Sequence, residues 1–340
     1  MSLNNKSSIK KSSLKTKKLI HPDGDHVGGS VVSDPNKKCA PSKKFSDGSC
    51  FTYDALKKIA ENYNKKNSDK INLSLKKDSF VKELSSKLKN QCSEQTCWLR
   101  LDFVKELDNE DIERNTFRPK GPSKKYEWLS TTHINDVIEQ YQNIHKDFVF
   151  LGAVPYDFDD LPMLGIRDLN FSELESNGKH KIGIVFNLDN HDQDGSHWVS
   201  MFTDLKKNQV YFFDSLGRKP GKRIRKLINR ITKYLYQKKY HSELPINDII
   251  EKIKTINGLP KGKAKEVVSS NKYLHNLLGG GFDIRYNYIQ HQFENSECGV
   301  YSINFIIRLV GGESFDSIIN NVTKDEEMNG FRKEYFRNVN

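Results

Sequence analysis

The eight residues from Gln292 to Gly299 constrain this chain more than any other stretch of its sequence. Cys298 lies there between an acidic residue and a glycine, directly before the apolar run 300–307. The length and pattern of that run predict a buried helix whose first turn contains Cys298. Because the unpaired N–H groups and the positive dipole end of a helix favour a thiolate over a thiol, the sequence predicts a nucleophilic cysteine here.

A reactive cysteine requires a base, and the base requires a side chain that orients it. His197 is the best candidate for the base, because it opens a predicted strand that is followed by a polar loop and a second strand ending at Asp214. If the loop makes a four-residue turn, Thr203 faces Asn208 and His197 faces Asp214. Because directly opposed residues point to the same face of a sheet, His197 and Asp214 would then lie side by side. A register shift of one residue would place them on opposite faces.

Gln292, six residues before Cys298, is the candidate for an oxyanion hole. Its side-chain amide could join the backbone N–H of Cys298 in binding a tetrahedral oxyanion, a donor typically worth about 3–4 kcal/mol. Each residue also has a structural interpretation, because free cysteines are usually buried apolar residues and an aspartate after a strand usually forms a turn. A lone histidine is more often structural, and Gln292 could lie on the surface. The occurrence of all four residues in this order favours the catalytic interpretation over the structural one.

Four motifs resemble those of a known family in order and spacing: His197-Trp198, Asp214, Gln292 and Cys298-Gly299. They are similar to the ubiquitin-like-protein proteases, which include the SUMO proteases and adenain, and the resemblance covers roughly residues 125–335. It implies an α+β fold of the papain-like, adenain type, with a central mixed sheet and a helix that carries the nucleophile. It also implies a thiol protease that cleaves after Gly-Gly or similar sites, with Trp198 in the wall of a narrow tunnel.

Within that family, the resemblance extends to the polyprotein proteases of African swine fever virus and related large DNA viruses. It rests on His291-Gln292, on the segments 297–299 and 323–332, and on a long non-catalytic arm. At the orienting position this chain has Asp214, as the SUMO proteases do, where Asn is expected in the viral proteases. The implied function is the processing of viral structural or core polyproteins. The alternatives are removal of SUMO-like modifiers and a nucleic-acid-binding core protein whose protease domain has decayed.

Composition bears on location and cofactors. No apolar run reaches the roughly 18 residues of a membrane span, and the N-terminus lacks the apolar region of a secretory signal. Five cysteines without a regular framework favour reduced thiols and an intracellular protein, for which the resemblance implies the virion core and host cytoplasm. Cys92 and Cys97 could ligate zinc or form a disulfide, but further well-spaced ligands are not evident. We expect no metal or other cofactor.

The formal net charge of +11 favours an acidic partner such as DNA, in addition to the protein substrate. The expected contacts are the basic N-terminal tail and the basic face of a predicted helix over residues 221–240. The alternative is a lysine-rich surface that is only solvated. The basic face consists of Lys222, Arg223, Arg225, Lys226, Arg230 and Lys233.

Three parts are predicted along the chain: a disordered basic tail (1–38), a helical N-terminal arm domain (39–120) and a catalytic domain (121–340). Gly28-Gly29 in the tail could be a self-processing site or an ordinary linker. In the arm, Thr52 is predicted to cap one helix, and Phe80, Leu84 and Leu88 form the apolar stripe of another. Strands are predicted around residues 181–188, 197–203, 209–214 and 282–289.

Overall fold

A computed structural model describes residues 38–107, 110–240, 248 and 282–338 of the chain. The predicted tail, apart from Lys38, lies outside these residues, and so does Gly28-Gly29. The prediction of a self-processing site there stays a prediction.

A five-stranded mixed sheet forms the centre of the structure, and its strands lie in chain order. They are β1 (Phe148–Val154), β2 (Lys181–Asn187), β3 (Trp198–Asp204), β4 (Gln209–Phe213) and β5 (Asp283–Tyr286). The outer pairs, β1–β2 and β4–β5, are parallel, and the two inner pairs are antiparallel. Together with the surrounding helices, this sheet confirms the predicted α+β class.

Helices precede, interrupt and follow the sheet along the chain. Before it come α1 (Tyr53–Lys66), α2 (Lys77–Leu88), α3 (Gln95–Trp98), α4 (Asp102–Lys105), α5 (Glu110–Asn115) and α6 (Thr131–Tyr141). Between the strands lie α7 (Phe171–Ser176), α8 (Lys222–Tyr240) and two short 3-10 turns (Phe158–Asp160 and Pro162–Leu164). After β5 come α9 (Cys298–Val310), α10 (Phe315–Asn320), α11 (Asp325–Gly330) and α12 (Arg332–Tyr335). None of the helices in the described ranges is long and apolar enough to cross a bilayer.

Strand β3 is buried along its whole length because both faces of the sheet are covered. Trp198 and Phe202 pack into a layer with α6 and α9, whereas Val199 and Met201 pack into a second layer with α7 and α8. This alternation places the helix that begins at Cys298 on one face and the basic helix α8 on the other.

The β3–β4 hairpin has a register different from the one predicted. Thr203 pairs with Val210, not with Asn208, so the register is shifted by two residues. The cause is local, because the Asp204 carboxylate accepts hydrogen bonds from the N–H groups of Lys206 and Lys207 and so delays the turn. Because side chains alternate with a period of two, the shift leaves every residue on its predicted face.

The arm has a hydrophobic core of its own, separate from the two layers on the sheet. Thr52 caps α1 as predicted, since its hydroxyl accepts the N–H of Ala55. The predicted stripe of α2, consisting of Phe80, Leu84 and Leu88, is fully buried in this core. The arm meets the catalytic part at α6, where the side-chain amide of Gln140 donates to the carbonyls of Arg114 and Phe117 at 2.8 and 2.9 Å.

Four of the five cysteines form disulfides, contrary to the expectation of reduced thiols. Cys39 pairs with Cys50, and Cys92 pairs with Cys97. All five cysteines lie within the described residues, and Cys298 is the free one. The pairing excludes zinc ligation by Cys92 and Cys97. Both disulfides lie in the arm, and a hydrogen bond between Ser49 and Gln95 links the two disulfide loops.

Reducing the two disulfides should destabilise the arm, because cross-links over 11 and 5 residues restrict the unfolded chain. Loop-closure entropy assigns about 3 and about 2 kcal/mol to these cross-links. Thermal unfolding of a Cys298→Ala variant, with and without reductant, measures the loss free of any effect on the reactive cysteine. The additional substitution of Cys39 and Cys50 by Ala should diminish the response to reductant. An identical melting curve in both conditions would contradict the prediction.

Candidate active site

Cys298 is the first residue of α9, as the sequence predicted, and only 3% of its surface is exposed. The helix behind it is buried over nearly all of its length, in keeping with its apolar sequence. Gly299 is required by close packing, because a Cβ at this position would lie 2.9 Å from the Cβ of Leu129. Leu129, just before α6, therefore lies directly against the start of the nucleophile's helix.

His197 and Asp214 form a hydrogen bond of 2.6 Å between Nε2 and Oδ1. Both side chains are buried, with 9% and 2% of their surfaces exposed. Asp214 also accepts the N–H of Leu216 at 2.9 Å, so its carboxylate is fixed from two directions. The Cys298 thiol is the second side chain that acts on the imidazole and raises its pKa. The three predicted side chains are thus brought together in one buried site.

The charge state of His197 follows from these contacts. Burial by itself lowers the pKa of the ring, but the hydrogen bonds with Asp214 and Cys298, and the negative charges of both, raise it to about 9. The imidazolium is therefore stable at neutral pH.

Asn287 holds the backbone of Asp214 and was not identified from the sequence. Its side-chain oxygen accepts the N–H of Asp214 at 2.8 Å, and its amide nitrogen donates to the Asp214 carbonyl at 2.7 Å. The residue is completely buried. It lies in the segment predicted as a long strand, but β5 ends at Tyr286. The backbone N–H of Asn287 still donates to the Phe212 carbonyl at 3.2 Å, which holds the residue beside the end of β4.

Gln292 is buried, with 3% of its surface exposed, which excludes the interpretation as a surface residue. Its Oε1 accepts a hydrogen bond of 2.7 Å from the hydroxyl of Ser215, the residue after Asp214. Its Nε2 donates to the carbonyl of Glu294 at 2.7 Å. Since an amide NH₂ group has two hydrogens, one N–H remains for another acceptor. The Glu294 carbonyl, which can only accept, thus fixes which end of the amide is the donor, and the Ser215 hydroxyl holds the other end.

Trp198 is 7% exposed, and its indole N–H donates to the carbonyl of Leu129 at 2.8 Å. The bond ties β3 to the segment before α6. On the surface of that segment, Tyr126 and Trp128 are 54% and 48% exposed and lie beside a depression of about 590 Å³. Phe293, next to Gln292, is 71% exposed. Exposed aromatic side chains therefore stand next in sequence to Leu129 and Gln292, two residues that pack in or against the buried centre.

This arrangement supports proton transfer between a thiol and an imidazole whose orientation a buried carboxylate maintains. In the described part of the chain, no cluster of three or more His, Cys, Asp or Glu residues could hold a metal ion. The basic face of α8 does not contribute, because that helix lies on the opposite face of the sheet.

A family model and two relatives that match this chain all indicate a cysteine protease. The model of the Ulp1 protease family C-terminal catalytic domain matches residues 179–261. A protein of Acanthamoeba polyphaga mimivirus named "Putative thiol protease" is 33% identical over 320 residues, covering 88% of this chain and 93% of its own. The "SUMO-1 cysteine protease" of African swine fever virus is 22% identical over 251 residues, covering 70% of this chain and 76% of its own.

The crystal structure of the African swine fever virus protease has a similar fold. It superposes with a TM-score of 0.55 and 18% sequence identity, and the match covers 89% of this chain and 96% of that chain. The similarity spans both the sheet and the helical arm, since it extends over most of the chain.

We expect the imidazole of His197 to titrate with a midpoint at about pH 9. Because this pKa is above the ordinary 6.5, the charged ring stabilises the fold fully below about pH 6.5, and this stabilisation disappears as the pH rises through about 9. NMR of the ring carbons measures the midpoint, and Asp214→Asn should lower it because burial then dominates. His291, whose pKa burial lowers, is an internal reference. A midpoint at or below pH 6.5 in the wild type would refute the conclusion that the His197 ring is charged at neutral pH.

Proposed function

Because the chain belongs to the Ulp1 protease family and is a cysteine protease, we propose that Cys298 is its nucleophile and His197 its general base. Asp214 orients the imidazole and stabilises its charged form. Gln292 and the backbone N–H of Cys298 form the oxyanion hole. The observation that carries this proposal is the buried hydrogen bond between His197 and Asp214, with the Cys298 thiol close enough to raise the pKa of the same imidazole.

The proposed reaction proceeds through a thioester. His197 takes the proton of Cys298, and the thiolate attacks the scissile carbonyl, whose oxygen becomes an oxyanion bound by the N–H groups of Gln292 and Cys298. The carbon–nitrogen bond then breaks as His197 donates its proton to the leaving amine. Water, deprotonated by His197, hydrolyses the thioester and restores the thiol.

Each member of this set should have a distinct effect on cleavage. Cys298→Ser should abolish turnover with the fold intact, because a hydroxyl is a far weaker nucleophile than a thiolate. Gln292→Ala should lower kcat by about 10²–10³-fold with a smaller change in KM. Gln142→Ala is the matched control, since that side chain binds the N–H of Phe150 at the start of the sheet and should leave kcat unchanged. Full activity of Cys298→Ser would end the proposal.

The substrate that we propose is a viral structural or core polyprotein, cut after a small residue such as Gly. The burial of Cys298 supports the small residue, because only 3% of its surface is exposed and it lies in the same buried cluster as Trp198 and Leu129. A bulky side chain next to the scissile bond would clash with so closely packed a site. The viral source of the matched relatives supports the polyprotein, and with it a location in the virion core and the infected cytoplasm.

The second candidate function is deconjugation of SUMO or a related modifier, and the name of the African swine fever virus relative, a SUMO-1 cysteine protease, favours it. Incubation of the protein with capsid-precursor peptides and with SUMO conjugates, followed by mass spectrometry of the products, separates the two. We expect efficient cleavage of precursor peptides at Gly-containing sites. Cleavage confined to SUMO conjugates would overturn the polyprotein proposal and leave the catalytic assignment intact. The Cys298→Ala variant is the control in both arms.

The interpretation as a decayed protease that binds nucleic acid is not supported, because the catalytic geometry is intact. A nucleic-acid contact in addition to proteolysis stays part of the proposal. The basic face of α8 is smaller than its sequence indicated: Arg223 pairs with Asp159 and Asp160, and Arg230 donates to backbone carbonyls. Four exposed cations remain for an acidic partner: Lys222, Arg225, Lys226 and Lys233.

A further inference from the structure

Arg332 is a buried cation close to the proposed nucleophile. No part of its surface is exposed, although arginine is among the residues least often buried. Its Nη2 donates to the carbonyl of Ser296 at 3.0 Å. Its Nε and Nη1 have no hydrogen-bond partner among the described residues. Since an incompletely paired buried charge is costly, the position of this guanidinium requires an explanation.

The charges that face Arg332 come from the loop before α9 and from the active site. Burial lowers the pKa of the guanidinium, and the negative charges of Glu297, Cys298 and Glu127 raise it. Glu297 is 1% exposed, and its carboxylate accepts hydrogen bonds from the N–H and the hydroxyl of Ser296. A guanidinium keeps its proton under these conditions, so Arg332 supplies a permanent positive charge.

The loop between Gln292 and Cys298 is held by two helices from the end of the chain. At the start of α11, the carboxylate of Asp325 accepts the N–H groups of Phe293 and Glu294 at 2.8 and 3.1 Å. At the start of α12, Arg332 binds the carbonyl of Ser296. The first half of the loop follows Gln292, and the second half leads directly into Cys298. Together, the two contacts set the relative position of both proposed oxyanion donors.

We propose that Arg332 is a positioning residue of the active site, which holds the Ser296 carbonyl so that the loop presents the Cys298 N–H to the oxyanion, and whose charge favours the Cys298 thiolate. This inference rests on the proposed function of Cys298. The two tasks differ from that of His197, because the guanidinium cannot exchange the proton that the reaction moves. His197 transfers the proton, and Arg332 stabilises the charge that the transfer leaves behind.

Two substitutions separate the tasks. Arg332→Met removes both the charge and the hydrogen bond, whereas Arg332→Lys retains the charge without the planar donor group. Arg308→Met is the matched control, because Arg308 is a part-buried arginine on α9 that pairs with Glu313 through two hydrogen bonds of 2.7 Å, at the other end of the helix. For each variant we would measure kcat, KM and the pH dependence of Cys298 alkylation by iodoacetamide, with Cys298→Ala as the blank.

Arg332→Met should lower kcat at least about 10-fold with little change in KM, and should move the alkylation midpoint upward by about half a unit to one pH unit. Arg332→Lys should keep the midpoint of the wild type and still lose kcat. Arg308→Met should have the kcat and the alkylation midpoint of the wild type, even if it melts at a lower temperature.

A wild-type midpoint in folded Arg332→Met would refute the electrostatic role, and a wild-type kcat in Arg332→Lys would refute the role in loop positioning. If Arg332→Met does not fold, Arg332→Gln, which also removes the charge but keeps a polar side chain, replaces it in the test of the electrostatic role. Cleavage by the Cys298→Ala blank would refute the proposed function itself, an outcome that these arginine variants cannot produce.

Discussion

The hydrogen bond between His197 and Asp214 is the interaction on which the active site depends. Burial by itself lowers the pKa of the His197 ring and so opposes its charge. The ring stays charged because the Asp214 carboxylate lies 2.6 Å away. The sheet makes this possible, because β3 begins and β4 ends at the same edge, and Asn287 fixes the backbone of Asp214 at that edge. The thiol of Cys298 then meets an imidazole that is already positioned.

Much of the fold and the main features of the site could be predicted from the sequence. The apolar run after Cys298 predicted a buried helix, and the alternation around His197 predicted the hairpin, because these patterns depend on local periodicity. The hairpin register was wrong by two residues, since the Asp204 side chain moved the turn. A shift of two keeps the side chains on their faces, so His197 and Asp214 met despite the error.

Contacts between distant segments could not be predicted. Asn287, Ser215 and Arg332 support the site through hydrogen bonds to backbone and amide groups, and such bonds leave no periodic pattern in a sequence. The disulfide between Cys39 and Cys50 was missed, and that between Cys92 and Cys97 was only one of two alternatives, because cysteine spacing does not determine pairing. The domain boundaries and the catalytic roles of the residues remain predictions, although the contacts described here give the roles a physical basis.

The depth of Cys298 has a consequence for inhibition. A covalent inhibitor must bring its electrophile to a cysteine of which only 3% is exposed. A slender linear warhead, such as a nitrile, fits this approach better than a branched ketone. The exposed rings of Trp128 and Phe293, the sequence neighbours of Leu129 and Gln292, offer broad stacking surfaces for the rest of such a molecule. Selectivity over shallower cysteine enzymes would then come from the shape of the approach rather than from the strength of the warhead.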